Sequence, residues 1–412
     1  MTKARTNIAT ANARGHTLIE LMIAILVGMF LVLGAFGVMA AFEGQKRSTT
    51  AVNDALQSGN YALYTIDKLI RSSGSGLARY AASAGWGCGL NYTSAGGTTV
   101  NSTGLPSLAA PFDTVLSGAS VTALRLAPVV IFPNAAVVEG SPTGSDALML
   151  MQGGAGFGET PIPITDKNGP LVASTVGFDV DEWVLVTTPG IGNCMITKVN
   201  SSYTGSAVNN VVLPLDNSSI GSAVGLIDIN NLVIPMGDKQ AASLMMFGVG
   251  SVATTAQAHT LWSLDLLNST TSLSTATQAV SDDIVMMRAV YQVQPKSTDP
   301  LTWTNPVANV TIGGTVYDYS PAGLLAGTTA ASDALKSIHA IRVALIVRAP
   351  LQERDTASGQ AVSATNAVNK GTYPIFKDQT AVTVTWTVPA SGQDYRYREM
   401  EASIPLRNGL LN

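Results

Sequence analysis

The sequence predicts an α+β protein: one long N-terminal helix, its first half apolar and its second half amphipathic, packed on an antiparallel β-sheet head with long loops. Three observations predict it. Residues 21–42 carry no formal charge. Apolar positions then recur at steps of three and four as far as Ile70. Beyond residue 77, short apolar or alternating runs are bounded by Gly, Pro, Asn and Ser.

The N-terminus comes first. Residues 1–15 form a basic leader holding Lys3, Arg5 and Arg14 and no acid. The uncharged run that follows, within a hydrophobic segment over 16–42, spans about 33 Å as a helix, against a hydrocarbon core of about 30 Å. Cations before the run and Glu43 after it place the N-terminus on the cytoplasmic side and the remainder outside. A secretory signal would put small residues after the run, and "GVMAAF" offers a loose version of that site. The better-placed feature precedes the run: Arg14-Gly15, then His16-Thr17-Leu18-Ile19-Glu20. A cut after Gly15 keeps the helix on the mature chain, with Glu20 fifth.

"GHTLIELMIAILVG" resembles the prepilin signature of type IV pilins and pseudopilins, G-F-T-L-I-E-L. The resemblance implies that a membrane-embedded prepilin peptidase cuts between Gly15 and His16 and that His16 becomes the N-methylated terminus. His16 stands where that family normally has Phe. A carboxylate in the membrane costs about 2.5–3.5 kcal/mol unless paired. Positions i+3 and i+4 from Glu20 are Ile23 and Ala24, which offer no cation. A neighbouring subunit's terminal amine would supply one and set the axial register. The alternative is a Glu20 that snorkels to the membrane edge.

Past Phe42 the helical period continues over 43–73. Val52, Ala55, Leu56, Gly59, Ala62, Leu63, Ile66, Leu69 and Ile70 form an amphipathic stripe, and "RSSGSG" stops it. From His16 to Arg71 one rod would be about 84 Å long. Gly28, Gly34 and Gly37 read either as sites of close helix approach or local melting, or as ordinary membrane-helix glycines.

The head, 77–412, reads as one decorated β-rich domain. Strands are expected at 181–188, 243–250, 260–267, 284–293, 340–349 and 381–388. In the last, Val382, Val384, Trp386 and Val388 face one side and Thr383, Thr385 and Thr387 the other. A single antiparallel sheet on the helical stripe is the simplest arrangement. The stretches 91–120, 201–225 and 268–280, rich in Gly, Ser, Thr and Asn, read as surface loops or loop-bounded subregions.

Charge and motif content narrow the chemistry. The formal charge is −4, which gives no bulk basis for nucleic-acid binding. Without the leader, 20 basic and 27 acidic side chains leave −7. Metal-ligand spacings and the common serine-nucleophile signatures are absent, so neither an enzyme nor a cofactor is expected. "GGAGFG" (153–158) reads as a loop. "DVDE" (179–182) reads as a solvated strand end rather than a calcium site. His259 and His339 read as structural histidines. Trp86, Trp303 and Tyr317 lie in loop-like surroundings that would suit surface binding, although packing accounts for most tryptophans in a head of this size. Cys88 and Cys194 either form one bridge in an exported head or stay as two buried thiols.

"ALQSGNYALYTIDKLIRSSGSGLARYAASAGWGCG" is similar to the PilW-like minor pilins through Tyr61-Ala62-Leu63, Arg71 and Gly87-Cys88-Gly89, with Asn60 in place of the usual Arg. Blocks at 144–151, 178–199, 281–293, 337–350 and 395–408 follow in the same order. This resemblance implies a Cys88–Cys194 bridge and a role in starting or capping a type IV pilus. It also implies the prepilin peptidase, other minor and major pilins and a tip adhesin as partners. Its implied location is the inner membrane, head in the periplasm, and then the cell surface. Two alternatives stand beside it: a pseudopilin of a type II secretion system, and a single-pass membrane-anchored surface protein.

Overall fold

The computed structural model describes residues 17–77, 86–136, 144–154, 161–166, 170–205, 208–216, 225–238, 241–250, 259–353 and 371–406. One helix, Leu18–Ser72, runs for 55 residues. Thr17 caps it in an extended conformation, its hydroxyl accepting the Glu20 amide at 3.4 Å. The other end stops where the sequence turns to Ser and Gly. Gly74 donates to the Met151 carbonyl at 2.7 Å, and Gly76 takes φ +78°. A Cβ on Gly76 would lie 2.9 Å from the Gly153 carbonyl carbon, so this turn needs glycine for both conformation and space.

The second half of the helix is bound to the head through Ala51, Ala55, Gly59, Ala62, Ile66 and Ile70, all buried. The stripe expected from sequence is rotated slightly: Val52, Leu56, Leu63 and Leu69 flank this line half-buried. Small residues let the helix lie close. At Gly59 an added Cβ would sit 2.5 Å from the Met400 sulfur and 2.9 Å from Val347 Cγ1. Full burial of Ile66 and Ile70 contributes about 1.5–3 kcal/mol each.

The head differs from a single antiparallel sheet. A four-stranded sheet orders Thr302–Thr304, Ile284–Val293, Ile338–Arg348 and Tyr397–Pro405. The helix packs on its last two strands. A five-stranded sheet orders Gln278–Asp282, Thr260–Asp265, Ser243–Gly250, Ser145–Gln152 and Val129–Ala136. An eight-stranded sheet orders Thr99–Val100, Gly89–Thr93, Asn193–Lys198, Trp183–Thr187, Leu232–Gly237, Ile162–Asp166, Leu171–Ser174 and Val208–Val212. All these pairings are antiparallel except one, Gly89–Thr93 with Asn193–Lys198, which is parallel. Several sheets are needed because the stripe, one side chain wide, covers part of one sheet, while apolar strands such as Ser145–Gln152 and Ser243–Gly250 are buried almost throughout.

Each of the six expected strands is present, 243–250 and 284–293 with the expected bounds and the others trimmed or shifted, and the Val/Thr alternation near residue 386 holds: Val382, Trp386 and Val388 are buried while Thr383, Thr385 and Thr387 are exposed. That face closes a second core with Phe376, Ile346 and Tyr397, on the side of the four-stranded sheet away from the helix. The stretches read as loops contribute more than expected. Within 91–120 lie two strands and a short helix, Val115–Gly118, and Phe112 and Leu116 are buried. Strand Val208–Val212 falls inside 201–225, and Leu273 inside 268–280 is fully buried. Isolated large apolar residues in Ser/Thr-rich sequence are what fill those sites.

Candidate functional site: the exposed helix and its junction with the head

From Leu18 to Phe42 every large apolar side chain of the helix is more than half exposed. Monomeric soluble proteins rarely expose contiguous apolar surface on this scale. The segment is long and apolar enough to cross a membrane, and no residue of its most apolar stretch is buried inside the protein. Beyond the helix's own adjoining backbone, no described atom lies within 4 Å of where a Cβ on Gly28, Gly34 or Gly37 would sit, so these glycines are open to whatever surrounds the helix.

Glu20 lies exposed in the first helical turn, behind the Thr17 cap. A carboxylate there is favoured by the positive end of the helix dipole. Gly15 and His16, expected to flank the cleavage site, lie outside the described residues.

At the far end of the apolar segment the helix meets the head. Ser48 Oγ donates to Glu353 Oε1 at 2.7 Å, and Arg396 Nε donates to the same oxygen at 2.5 Å. This tie fixes the start of strand Tyr397–Pro405 and the turn near Leu351 against the helix. Ser48, Glu353 and Arg396 are far apart in the sequence, and no local pattern there marks their meeting.

Cys88 and Cys194 form a disulfide, both fully buried, where Gly89–Thr93 and Asn193–Lys198 pair in parallel with Leu90 opposite Cys194. The aromatics follow the packing reading: Trp86 is fully buried, Trp303 packs against the second core, and the Tyr317 and Tyr319 rings lie 6.2 Å apart. In "DVDE", Glu182 is buried rather than solvated. It accepts the Asp179 amide at 2.9 Å, and burial pushes its carboxyl up. Among the described residues no group of three or more His, Cys, Asp or Glu is placed to hold a metal. The backbone carbonyls of His259 and His339 accept the Ile284 and Leu406 amides at 3.0 and 2.8 Å. Of "GGAGFG", Gly153 and Gly154 are described, and their amides reach the carbonyls of Ser75 and Met236.

Residues 10–36 match the prokaryotic N-terminal methylation motif. No match was found among curated proteins or solved structures. The matched stretch contains Gly15, His16, Glu20 and most of the apolar segment. The chain is therefore type IV pilin-like at its N-terminus, a prepilin-like substrate of a type IV pilus or related system, with an apolar helix that supports membrane anchoring before assembly.

Proposed function

We propose that the chain is a minor pilin of the PilW-like kind, which takes part in starting or capping a type IV pilus. One observation carries this reading. A single helix carries residues 18–36 of the matched motif, presents exposed large apolar side chains from Leu18 to Phe42, and continues without a break into a half that is buried on a large head. On this reading prepilin peptidase removes residues 1–15 and methylates His16, in the inner membrane, with the head in the periplasm. Glu20 then pairs with the terminal amine of a neighbouring pilin as the helix leaves the bilayer. Partners are other minor and major pilins and a tip adhesin, and adhesion and twitching motility are the downstream processes. The ordered blocks of the head favour the pilus over the type II secretion pseudopilus, with which the N-terminal motif is shared.

Mass spectrometry of the mature N-terminus tests the processing step. The expected result is an N-methylated His16 as the first residue. An intact Met1, or a cut near Ala40–Ala41, overturns the reading. Deleting the gene separates the two filament systems: loss of surface pili, restored by the wild-type chain, supports the pilus assignment. Normal piliation with a secretion defect overturns it.

A further inference from the structure

A cleft of about 740 Å³ opens where the apolar helix reaches the head. Residues of 40–51 line one wall; Leu351, Gln352, Glu353 and Arg396 line the other. Its depth is set by the helix. The apolar stretch Leu18 to Phe42 spans about 37 Å as a helix, which modest tilt fits to a core of about 30 Å. The headgroup layer then lies beside the turn that begins at Glu43, at the mouth of the cleft.

The charges lining it are specific. Arg396 and Glu353 satisfy each other at 2.5 Å, with Ser48 on the same oxygen. Glu43 and Arg47 also line the cleft, and among the described residues neither has an ion-pair partner. One acid and one guanidinium are thus left facing the space. Cations at the exit end of a spanning helix run against the usual bias of Lys and Arg to the entry side, and Arg47 lies one helical turn after Glu43, so the two set opposite charges side by side at the cleft. A guanidinium matches phosphate with paired hydrogen bonds. The acid beside it matches an ammonium. A purely anionic headgroup would meet Glu43 unfavourably. Leu351, 41% exposed at the rim, offers apolar surface for the start of an acyl chain.

We infer that this cleft binds the zwitterionic headgroup of a phosphoethanolamine lipid in the leaflet on the head side, its phosphate at Arg47 and its amine at Glu43. The lipid fills the wedge between helix and head while the chain waits in the membrane, and it must leave when the helix is extracted. The inference rests on the reading of the helix as membrane-spanning.

The test uses the full chain in bilayer nanodiscs containing equal phosphatidylethanolamine and phosphatidylglycerol, released into native mass spectrometry. The expected result is one retained phosphatidylethanolamine on the wild type, and retention at least tenfold lower in Arg47→Gln and in Glu43→Gln. Both substitutions lie on exposed helix surface and leave the Arg396–Glu353 tie intact. Lys68→Gln, remote from the cleft, should retain lipid as wild type does. Equal retention in all four proteins, or preference for phosphatidylglycerol, overturns the inference. Alkaline extraction separates the two levels. A chain that stays in the membrane without retaining lipid refutes the cleft alone, whereas a chain released by alkali refutes the spanning helix as well.

Discussion

Asp146 and Arg288 join two sheets through a buried ion pair. The Arg288 Nη1 lies 2.7 Å from Asp146 Oδ1, and the side chains are 9% and 2% exposed. The carboxylate also accepts the amides of Ala289 at 2.9 Å and Asn134 at 3.1 Å. Beside it, Ser145 Oγ accepts the Met287 amide at 2.9 Å, and the Tyr291 hydroxyl accepts the Ile131 amide at 2.6 Å. Three polar ties thus stitch the five-stranded sheet to the four-stranded sheet that carries the helix. Burial pushes the Asp146 carboxyl up, and the guanidinium and the two amides oppose that shift.

Removing one partner leaves the other buried without its charge complement, which costs about 3–5 kcal/mol. Arg288→Met is therefore expected to lower the denaturant midpoint of the head sharply. Arg288→Met with Asp146→Leu should recover part of the loss, because no lone charge remains. If the double variant is as unstable as the sum of the single ones, the ion pair is not the source of the cost.

The disulfide makes a different contribution. It closes a loop of 106 positions, for which chain entropy alone gives about 4–5 kcal/mol. It also anchors the one parallel pairing of the eight-stranded sheet, whose partners are far apart in sequence. Cys88→Ser with Cys194→Ser is expected to cost about 2–5 kcal/mol. Thermal melts of wild type with and without reductant, beside the double variant, check this. A double variant that melts with the oxidised wild type would show that the sheet holds without the bridge.

The disulfide was anticipated from the sequence, but the ion pair marks where the sequence stops being legible. The helix was readable because its apolar run, its stripe and its Ser/Gly stop are local patterns. Strands such as 284–293 and 243–250 were readable because apolar β-formers between turn residues are local too. The meeting of Asp146 and Arg288 depends on segments 142 residues apart, and neither "SDALMLM" nor "IVMMRAVYQV" names its partner. A hint was present, since each run holds one lone charge among apolar residues, and such a charge needs a buried complement. Phe112, in the stretch 91–120 read as loop, was missed for the reverse reason: a Gly/Ser/Thr-rich neighbourhood reads as surface, yet one aromatic within it can be the piece that enters the core. At the N-terminal site, Gly15, His16 and Glu20 came from a short motif, while Glu353 and Arg396 reach the junction only through the fold.

Glu20 supplies the functional prediction. Glu20→Ala removes an exposed carboxylate from the first turn, far from the helix residues Ala51 to Ile70 that are buried on the head. Expression, membrane insertion and the Cys88–Cys194 bridge should remain as in wild type. Incorporation into sheared filaments should fall at least tenfold, and Glu20→Gln should not restore it, because pairing with an amine needs the charge. Wild-type levels of either variant in the filament fraction would sink the pairing role.

Glu399 supplies a pH dependence. It lies two residues from Glu401 on strand Tyr397–Pro405. Glu401 is committed elsewhere: it accepts from Arg342 Nε at 3.0 Å and from the Phe376 amide at 2.6 Å. Arg342 is shared again, with Asp378 at 2.8 Å. Burial first, and then the Glu401 carboxylate, push the Glu399 carboxyl up from 4.5 to about 7. Below pH 4.5 both folded and unfolded chains hold this proton, so the group has no effect. Between 4.5 and about 7 the unfolded chain releases it first, so folding loses stability as pH rises; above about 7 both states are ionised and the loss is complete. Melts of the head at closely spaced pH values from 4 to 8 should show Tm falling through this window. Glu399→Gln should remove most of the fall and leave the variant more stable than wild type at pH 8. An unchanged slope in the variant would assign the pH response to other groups, and a wild type that gains stability across the window would reverse the sign argued here.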